Sequence, residues 1–100
     1  MTNKNGLLFL CVANSARSQM AEGIARQLAP KDMKIFSAGS APATLNSKAI
    51  CVMQEIDIDI SSHRSKAINE IPQDQITTVI TLCHDEICPV FNQKVKQVHW

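Results

Sequence analysis

Leu7-Leu8-Phe9-Leu10-Cys11-Val12-Ala13-Asn14-Ser15-Ala16-Arg17-Ser18 decides the reading of this 100-residue chain. Apolar residues run straight into a cysteine, and small or polar residues lead on to arginine and serine. A helical pattern begins there. A buried strand that feeds a tight loop into a helix N-terminus makes an anion site, because backbone N–H groups converge and the helix dipole favours negative charge. Cys11 opens that loop as a candidate nucleophile, and Arg17 closes it as a candidate bidentate clamp for an oxyanion. Arginine is disfavoured at the positive end of a helix, so its place there implies that an anion arrives. Ala13, Ser15 and Ala16 keep the cradle open, Asn14 suits a left-handed turn, and Ser18 offers a hydroxyl to the thiolate. The bland alternative is a buried strand-end thiol followed by an ordinary first-turn arginine.

Working outward, Leu7–Val12 is read as a buried strand and Ser15–Ala29 as a helix. Ala16, Met20, Ile24 and Leu28 recur every four residues along that helix and form an apolar stripe. Pro30 ends it. Lys34–Ala38 reads as a second strand and Gly39 to Pro42 as a turn. Asn46 suits an N-cap for a helix over Ser47–Glu55, with Ala49, Ile50, Val52 and Met53 inward. Asp57–Ile60 alternates but is short enough to be loop. Ser61 or Ser62 is expected to cap a helical turn through Ile68, and Pro72 to start another. Thr77–Leu82 is a β-branched strand, Cys83–Phe91 a loop and Val95–Trp100 a last strand. Alternating strands and helices give an α/β fold: a four-stranded, mainly parallel sheet flanked by helices, in one domain over residues 1–100. Ligands in such sheets sit beyond the carboxyl ends of the strands, which brings Cys11 and Cys83 to one edge.

Composition excludes several classes. Net charge is +1, too small for a general nucleic-acid or anionic-membrane footprint, so any anion affinity is local. No stretch approaches the roughly 20 apolar residues of a membrane span. Leu7–Leu10 after Lys4 is short for a secretory signal. A cytoplasmic location is the expectation. There, Cys11, Cys51, Cys83 and Cys88 are better read as catalytic, redox-active or metal-binding than as structural bridges. Cys51, on the inward side of its helix, is read as core. His63 and Arg64 are read as surface residues, and Trp100 as buried against the sheet.

Cys11 through Gly23 resembles the phosphate-loop signature of the low-molecular-weight protein tyrosine phosphatase superfamily. Within it, the chain most resembles the thiol-coupled arsenate reductases. Ser37-Ala38-Gly39, Asp57 through Lys66, Thr81-Leu82-Cys83, Cys88-Pro89 and His99-Trp100 agree, so the resemblance covers nearly the whole chain. It implies a low-molecular-weight phosphatase-like fold with the phosphate loop between the first strand and first helix. It implies arsenate held by the Cys11–Ser18 loop, attack by Cys11, and a disulfide relay through Cys83 to Cys88. A thioredoxin- or glutaredoxin-type reductant would reset the relay. Four residues separate Cys83 from Cys88, fewer than many thioredoxin-coupled members have, which leaves the reductant open. Two other readings of this pair remain: inert loop thiols, and zinc bound together with His84 and Asp85.

Some reductases of the family hold potassium near the loop. The matching positions are Asn14, Glu22, Ser37 and Lys66, and Lys66 stands where a carboxylate would complete the site. Its ammonium is expected to pair with Glu22 in place of the ion, leaving no cofactor and no metal. Relatives also continue past the tryptophan into an Asp-Pro loop, which carries a general acid, and a last helix. Residues 1–100 contain no Asp-Pro. The surface that helix would cover is expected to favour self-association. Two rival functions stand beside arsenate reduction. One is tyrosine phosphatase activity, weakened by the scarcity of aromatics for pocket walls: three Phe, one Trp and no Tyr. The other is a truncated oxyanion- or arsenite-binding module with weak or no catalysis.

Overall fold

The apolar run that opens the chain becomes the centre of the sheet. The computed structural model describes residues 5–82 and 96–99. Strand β1 (Gly6–Cys11) lies between β2 (Lys34–Gly39) and β3 (Ile76–Thr81), and β4 (Lys96–His99) flanks β3. The order is β2-β1-β3-β4, and every pairing is parallel. Both faces of β1 are covered, which is why it reads as a continuous apolar run rather than an alternation.

The strand period of two sorts β1 into two faces. Leu8 and Leu10 join Ala38, Ile71, Ile76 and Val79 in one core, with Phe36 and Ile68 packed against it. Phe9 and Cys11, also buried, point to the opposite face. Helix α1 (Arg17–Leu28) carries the chain from β1 to β2, and α2 (Ser47–Gln54) packs beside it. Ala49 and Met53 of α2, with Ile60, form a second core joined by Ala16, Met20, Leu45, Ile50 and Ile58. The Asn46 side chain caps α2 by accepting the Lys48 N–H at 2.8 Å. Among the described residues no helix is long and apolar enough to cross a membrane.

Several expectations need correction. The α1 stripe does not turn inward along its length: Ile24 is 39% and Leu28 81% exposed, while Ser18, Gln19, Glu22 and Gly23 are buried. Ala16 and Met20 do pack against the second core, but beyond them the helix packs through polar groups that find partners in the loop and in β2, so the apolar stripe fails at Ile24 and Leu28. In α2, Val52 and Cys51 are both exposed. With about 100° per residue, a helix that buries Ala49 and Met53 turns residues 51 and 52 outward. The helical turn expected before Ile68 is replaced by a 3-10 turn over Ile68–Glu70, and a second spans Gln73–Gln75 after Pro72. Asp57–Ile60 forms no strand. The loop expected over Cys83–Phe91, and Trp100, lie outside the described residues.

Asp57, just beyond α2, sits at φ 60°, a left-handed conformation that carries the chain past the helix end. Its N–H and that of Ile58 bond back to Gln54 O and Met53 O at 3.0 and 2.9 Å. Left-handed backbone costs a non-glycine residue roughly 1–2 kcal/mol, partly offset by the greater unfolded-state freedom of glycine. Asp57→Gly is expected to raise stability by roughly 0.5–1 kcal/mol, read as a higher urea midpoint at unchanged m-value.

Candidate active site

The loop from β1 to α1 is held with its carbonyls outward. The carbonyls of Cys11, Val12, Ala13 and Ser15 accept the backbone N–H groups of Ser40, Ala41, Ala43 and Asn46, at 3.3, 2.8, 2.9 and 2.8 Å. The Asn14 carbonyl accepts from Ser65 Oγ at 2.7 Å and Gln19 Nε2 at 3.1 Å. A trans peptide points its N–H opposite to its C=O, so the N–H groups of Ala13 to Ala16 turn inward. Asn14 marks the sharpest bend, at φ 51°, and its N–H reaches Cys11 Sγ at 3.1 Å. Cys11, Val12, Ala13, Ser15, Ala16 and Arg17 line a cavity of about 310 Å³. The buried cysteine lies at its floor, and Arg17 is exposed at its edge at the start of α1.

Behind the cavity lies a buried polar network. Asn14 Oδ1 accepts the Lys66 backbone N–H at 2.8 Å and Gln19 Nε2 at 3.0 Å. Asn14 Nδ2 donates to Ser18 Oγ at 2.7 Å, and Ser18 Oγ lies 2.9 Å from Cys11 Sγ. Asn14, Ser18 and Gln19 are each fully buried. Gln19 also donates to Arg64 O at 2.8 Å, and its Oε1 lies 3.0 Å from His63 Nδ1. His63 is therefore half-buried against the loop's support and is not the surface residue expected. Arg64 does have an exposed side chain, paired with Glu70 at 2.7 Å. Nothing in the sequence pattern marks Gln19. It lies four residues before Gly23 inside the loop signature, but a buried amide leaves no periodic trace.

Glu22 is a second buried hub. Ser37 Oγ donates to its carboxylate, Arg26 pairs with it at 2.7 Å, and Lys66 Nζ stands 3.7 Å away. Lys66 Nζ also donates to Arg64 O at 3.1 Å. Asn14, Glu22, Ser37 and Lys66 thus lie close together, as their sequence matching expected. Burial pushes the Lys66 ammonium below its ordinary pKa, against the attraction of Glu22. Of the expected relay, only Cys11 is within the described residues; Cys83 and Cys88, with His84 and Asp85, lie outside them.

Burial also holds His63 below the ordinary histidine value, with Glu22 and Asp59 pulling it up and Arg26 and Lys66 pushing it down. A depressed histidine leaves stability unaffected above the unfolded value. As pH falls through that value, the unfolded chain takes up a proton that the native site refuses. Stability contributed by neutral His63 should therefore be full at pH 7.5 and decline below about pH 6.5. The urea midpoint should fall less between pH 7.5 and 5.5 in His63→Gln than in wild type, and equal declines would contradict this.

The family description of low molecular weight phosphotyrosine protein phosphatases matches residues 6–99. The chain belongs to this family. A Staphylococcus xylosus protein named arsenate reductase is 43% identical over 100 residues, covering 98% of this chain and 76% of the relative. A solved arsenate reductase in its phosphate-binding state superposes with TM-score 0.80 at 33% identity, covering 96% of this chain and 75% of the other. The thioredoxin-dependent arsenate reductase of Corynebacterium glutamicum gives TM-score 0.76 at 27% identity, covering 95% of this chain and 48% of the other. In this family member the β1–α1 loop, with Cys11 at its floor, is the natural candidate for the phosphate loop.

Proposed function

We propose that the protein reduces arsenate to arsenite, with Cys11 as nucleophile, Arg17 as oxyanion clamp, and Cys83 and Cys88 as the disulfide relay. The observation that carries this reading is the Cys11 sulfur at the floor of a cavity lined by the inward-turned loop and Arg17. The arsenate reductase relatives supply the oxyanion. Val12, Ala13, Asn14, Ser15, Ala16 and Ser18 shape and support the cradle.

The Cys11 thiolate attacks arsenic and displaces one oxygen as water, giving a sulfur–arsenic(V) adduct. Cys83 then attacks Cys11 Sγ. The sulfur–arsenic bond breaks with its electron pair on arsenic, which leaves as arsenite, while a Cys11–Cys83 disulfide forms. Cys88 attacks Cys83, frees Cys11 and carries the disulfide onward to an external dithiol. A cytoplasmic thioredoxin- or glutaredoxin-type protein is the reductant in this reading, and the thioredoxin-dependent neighbour supports the first.

The test compares wild type, Cys83→Ser and Cys88→Ser for arsenate-dependent oxidation of reduced thioredoxin or glutaredoxin, and for p-nitrophenyl phosphate hydrolysis. Both substitutions should stop arsenate-dependent turnover and spare phosphate-ester hydrolysis. Cys88→Ser should trap the Cys11–Cys83 disulfide. Hydrolysis without any arsenate-dependent thiol oxidation would establish a phosphatase instead, and binding without turnover a binding module.

Potassium is not needed in this reading. The donor set fits the ion poorly, since Ser37 spends its hydroxyl proton on Glu22 and the Lys66 ammonium already faces that carboxylate. The Lys66 side chain is proposed to stand in for the cation. Turnover should be equal in potassium and sodium, and a saturable activation by potassium alone would overturn the assignment. Self-association is a further part of the proposal, supported by exposed Ile24, Leu28, Val52 and Ile56. Sedimentation velocity over a concentration series tests it.

A further inference from the structure

A second cavity, of about 370 Å³, lies beside the Glu22 hub and shares no lining residue with the Cys11 cavity. Its size falls among small-molecule pockets, which run from about 300 to 1,000 Å³. The lining divides into charged residues (Glu22, Arg26, Arg64, Lys66 and Glu70) and apolar ones, Phe36, Ile71 and Pro72. Phe36 packs against the core that includes Ile71, so the apolar part rests on a fixed support.

The charges on this lining do not cancel. Both carboxylates are already met. Glu70 takes Arg64 on one oxygen and the Ala67 N–H on the other, each at 2.7 Å. Glu22 takes Ser37 Oγ on one oxygen and Arg26, at 2.7 Å, on the other. Lys66 is the cation left over. Its Nζ stands 3.7 Å from Glu22, an attraction across a gap rather than a charge-assisted hydrogen bond of roughly 2.7–2.9 Å. Among the described residues, that ammonium donates to Arg64 O at 3.1 Å. An ammonium has three N–H donors, so the others are unspent. The Lys66 side chain is nevertheless only 18% exposed. A charge so far from water is costly unless it is hydrogen-bonded, and an anion in the cavity would supply the missing acceptors. Burial keeps His63, on the same lining, toward its neutral form. The excess is therefore a single positive charge. One negative charge matches it, whereas a dianion such as phosphate would face Glu22 and Glu70 uncompensated.

We propose that this cavity binds a small organic monocarboxylate, with its head on Lys66 Nζ and its apolar body against Phe36, Ile71 and Pro72. The two cavities then divide the anions by shape and charge. Compact tetrahedral oxyanions go to the loop around Cys11, and amphipathic monoanions go to the Lys66 cavity. The second site stands on its own lining and does not depend on whether Cys11 reduces arsenate.

The experiment titrates benzoate into the isotope-labelled full chain at neutral pH and follows the backbone amide shifts by NMR. Saturable shifts with a millimolar Kd are expected at Phe36, Lys66 and Ile71, while the amides of Ala13, Ser15 and Ala16 keep their positions. Inorganic phosphate should move those loop amides instead, and benzoate affinity in its presence should stay within about twofold of the value without it. Benzyl alcohol, which keeps the ring without the charge, should bind about tenfold more weakly or worse, and Lys66→Met should lose benzoate affinity by about tenfold, the size of one charge-assisted hydrogen bond. Arg64→Gln changes an exposed side chain and cancels the excess charge, and it should weaken benzoate by about threefold. Shifts that never saturate, equal binding of benzyl alcohol, displacement of benzoate by phosphate, or wild-type affinity in Lys66→Met would each overturn the proposal. Should Lys66→Met fail to fold, as its amide spectrum would show, Arg64→Gln and benzyl alcohol still decide. Arsenate-dependent turnover without benzoate binding would remove this site alone, and benzoate binding without turnover would remove the reductase reading alone.

Discussion

Cys11→Ser is expected to abolish arsenate-dependent thiol oxidation, by about 10⁴-fold or more, the scale on which removing a nucleophile acts. Serine lacks a thiolate and offers no sulfur for the next thiol to attack, so both the adduct and the first disulfide are lost together. Binding should survive. The N–H groups of Ala13 to Ala16 stay turned inward because the segment 40–46 holds the loop carbonyls, and a serine side chain alters none of those bonds. Phosphate affinity by calorimetry should remain within a few-fold of wild type. Arg17→Lys separates the remaining contribution. An ammonium keeps the charge but loses the planar fork that meets two oxygens at once, and kcat should drop by about 10²-fold with a weaker effect on KM. Arsenate-dependent turnover in Cys11→Ser within tenfold of wild type would remove Cys11 from the mechanism.

The parts of the fold legible in the sequence are those with one dominant cause. Leu7–Leu10 is apolar on both faces because β1 is covered on both faces, and an unbroken run says so directly. Asn46 is legible as a cap because its side chain meets an N–H two residues away. Asn14 and Ser18 are legible beside Cys11 because the loop is short and its geometry is nearly set by the spacing. The inner face of α1 was not legible. Gln19 and Glu22 are buried there at 0% and 2% exposure, held by Arg64 O, His63, Ser37 and Arg26. Hydrophobic periodicity cannot show a face whose burial is compensated by hydrogen bonds. His63 escaped for a related reason. Its partner lies 44 residues earlier, and the irregular segment 57–67 that carries it has no period from which a direction could be read. Ile24 and Leu28 kept the spacing of a core stripe but stand exposed, since the polar face already occupies the space against the loop.

Gly39→Ala is expected to damage stability and activity together, and the reason is space rather than backbone freedom, since no glycine has positive φ. Gly39 ends β2 directly opposite Cys11 in the parallel register. Its N–H donates to Lys66 O at 2.8 Å, so it is clamped from the other side by the segment that also holds Asn14 Oδ1 through the Lys66 N–H. A methyl group here would collide with the Val12 carbonyl oxygen and press within 3.0 Å of Asn14 N. These are backbone atoms and cannot swing aside as a flexible side chain can. Val12 O is one of the outward carbonyls, held by Ala41 N–H at 2.8 Å, and Asn14 N is the donor that reaches Cys11 Sγ. Relief requires the loop to lift off β2, which would break the first bond and misdirect the second. Overpacking of this kind costs about 1–3 kcal/mol, measurable as a lower urea midpoint. A shift of about 1 Å at a reacting centre costs about 10²-fold in rate, so arsenate turnover should fall further than the stability loss alone explains. Ser40→Ala, at the exposed neighbouring position, keeps the N–H that donates to Cys11 O and should leave both near wild type. A Gly39→Ala enzyme with wild-type turnover would mean that the loop tolerates a different height above β2, and that the inward N–H groups are not held in place by this contact.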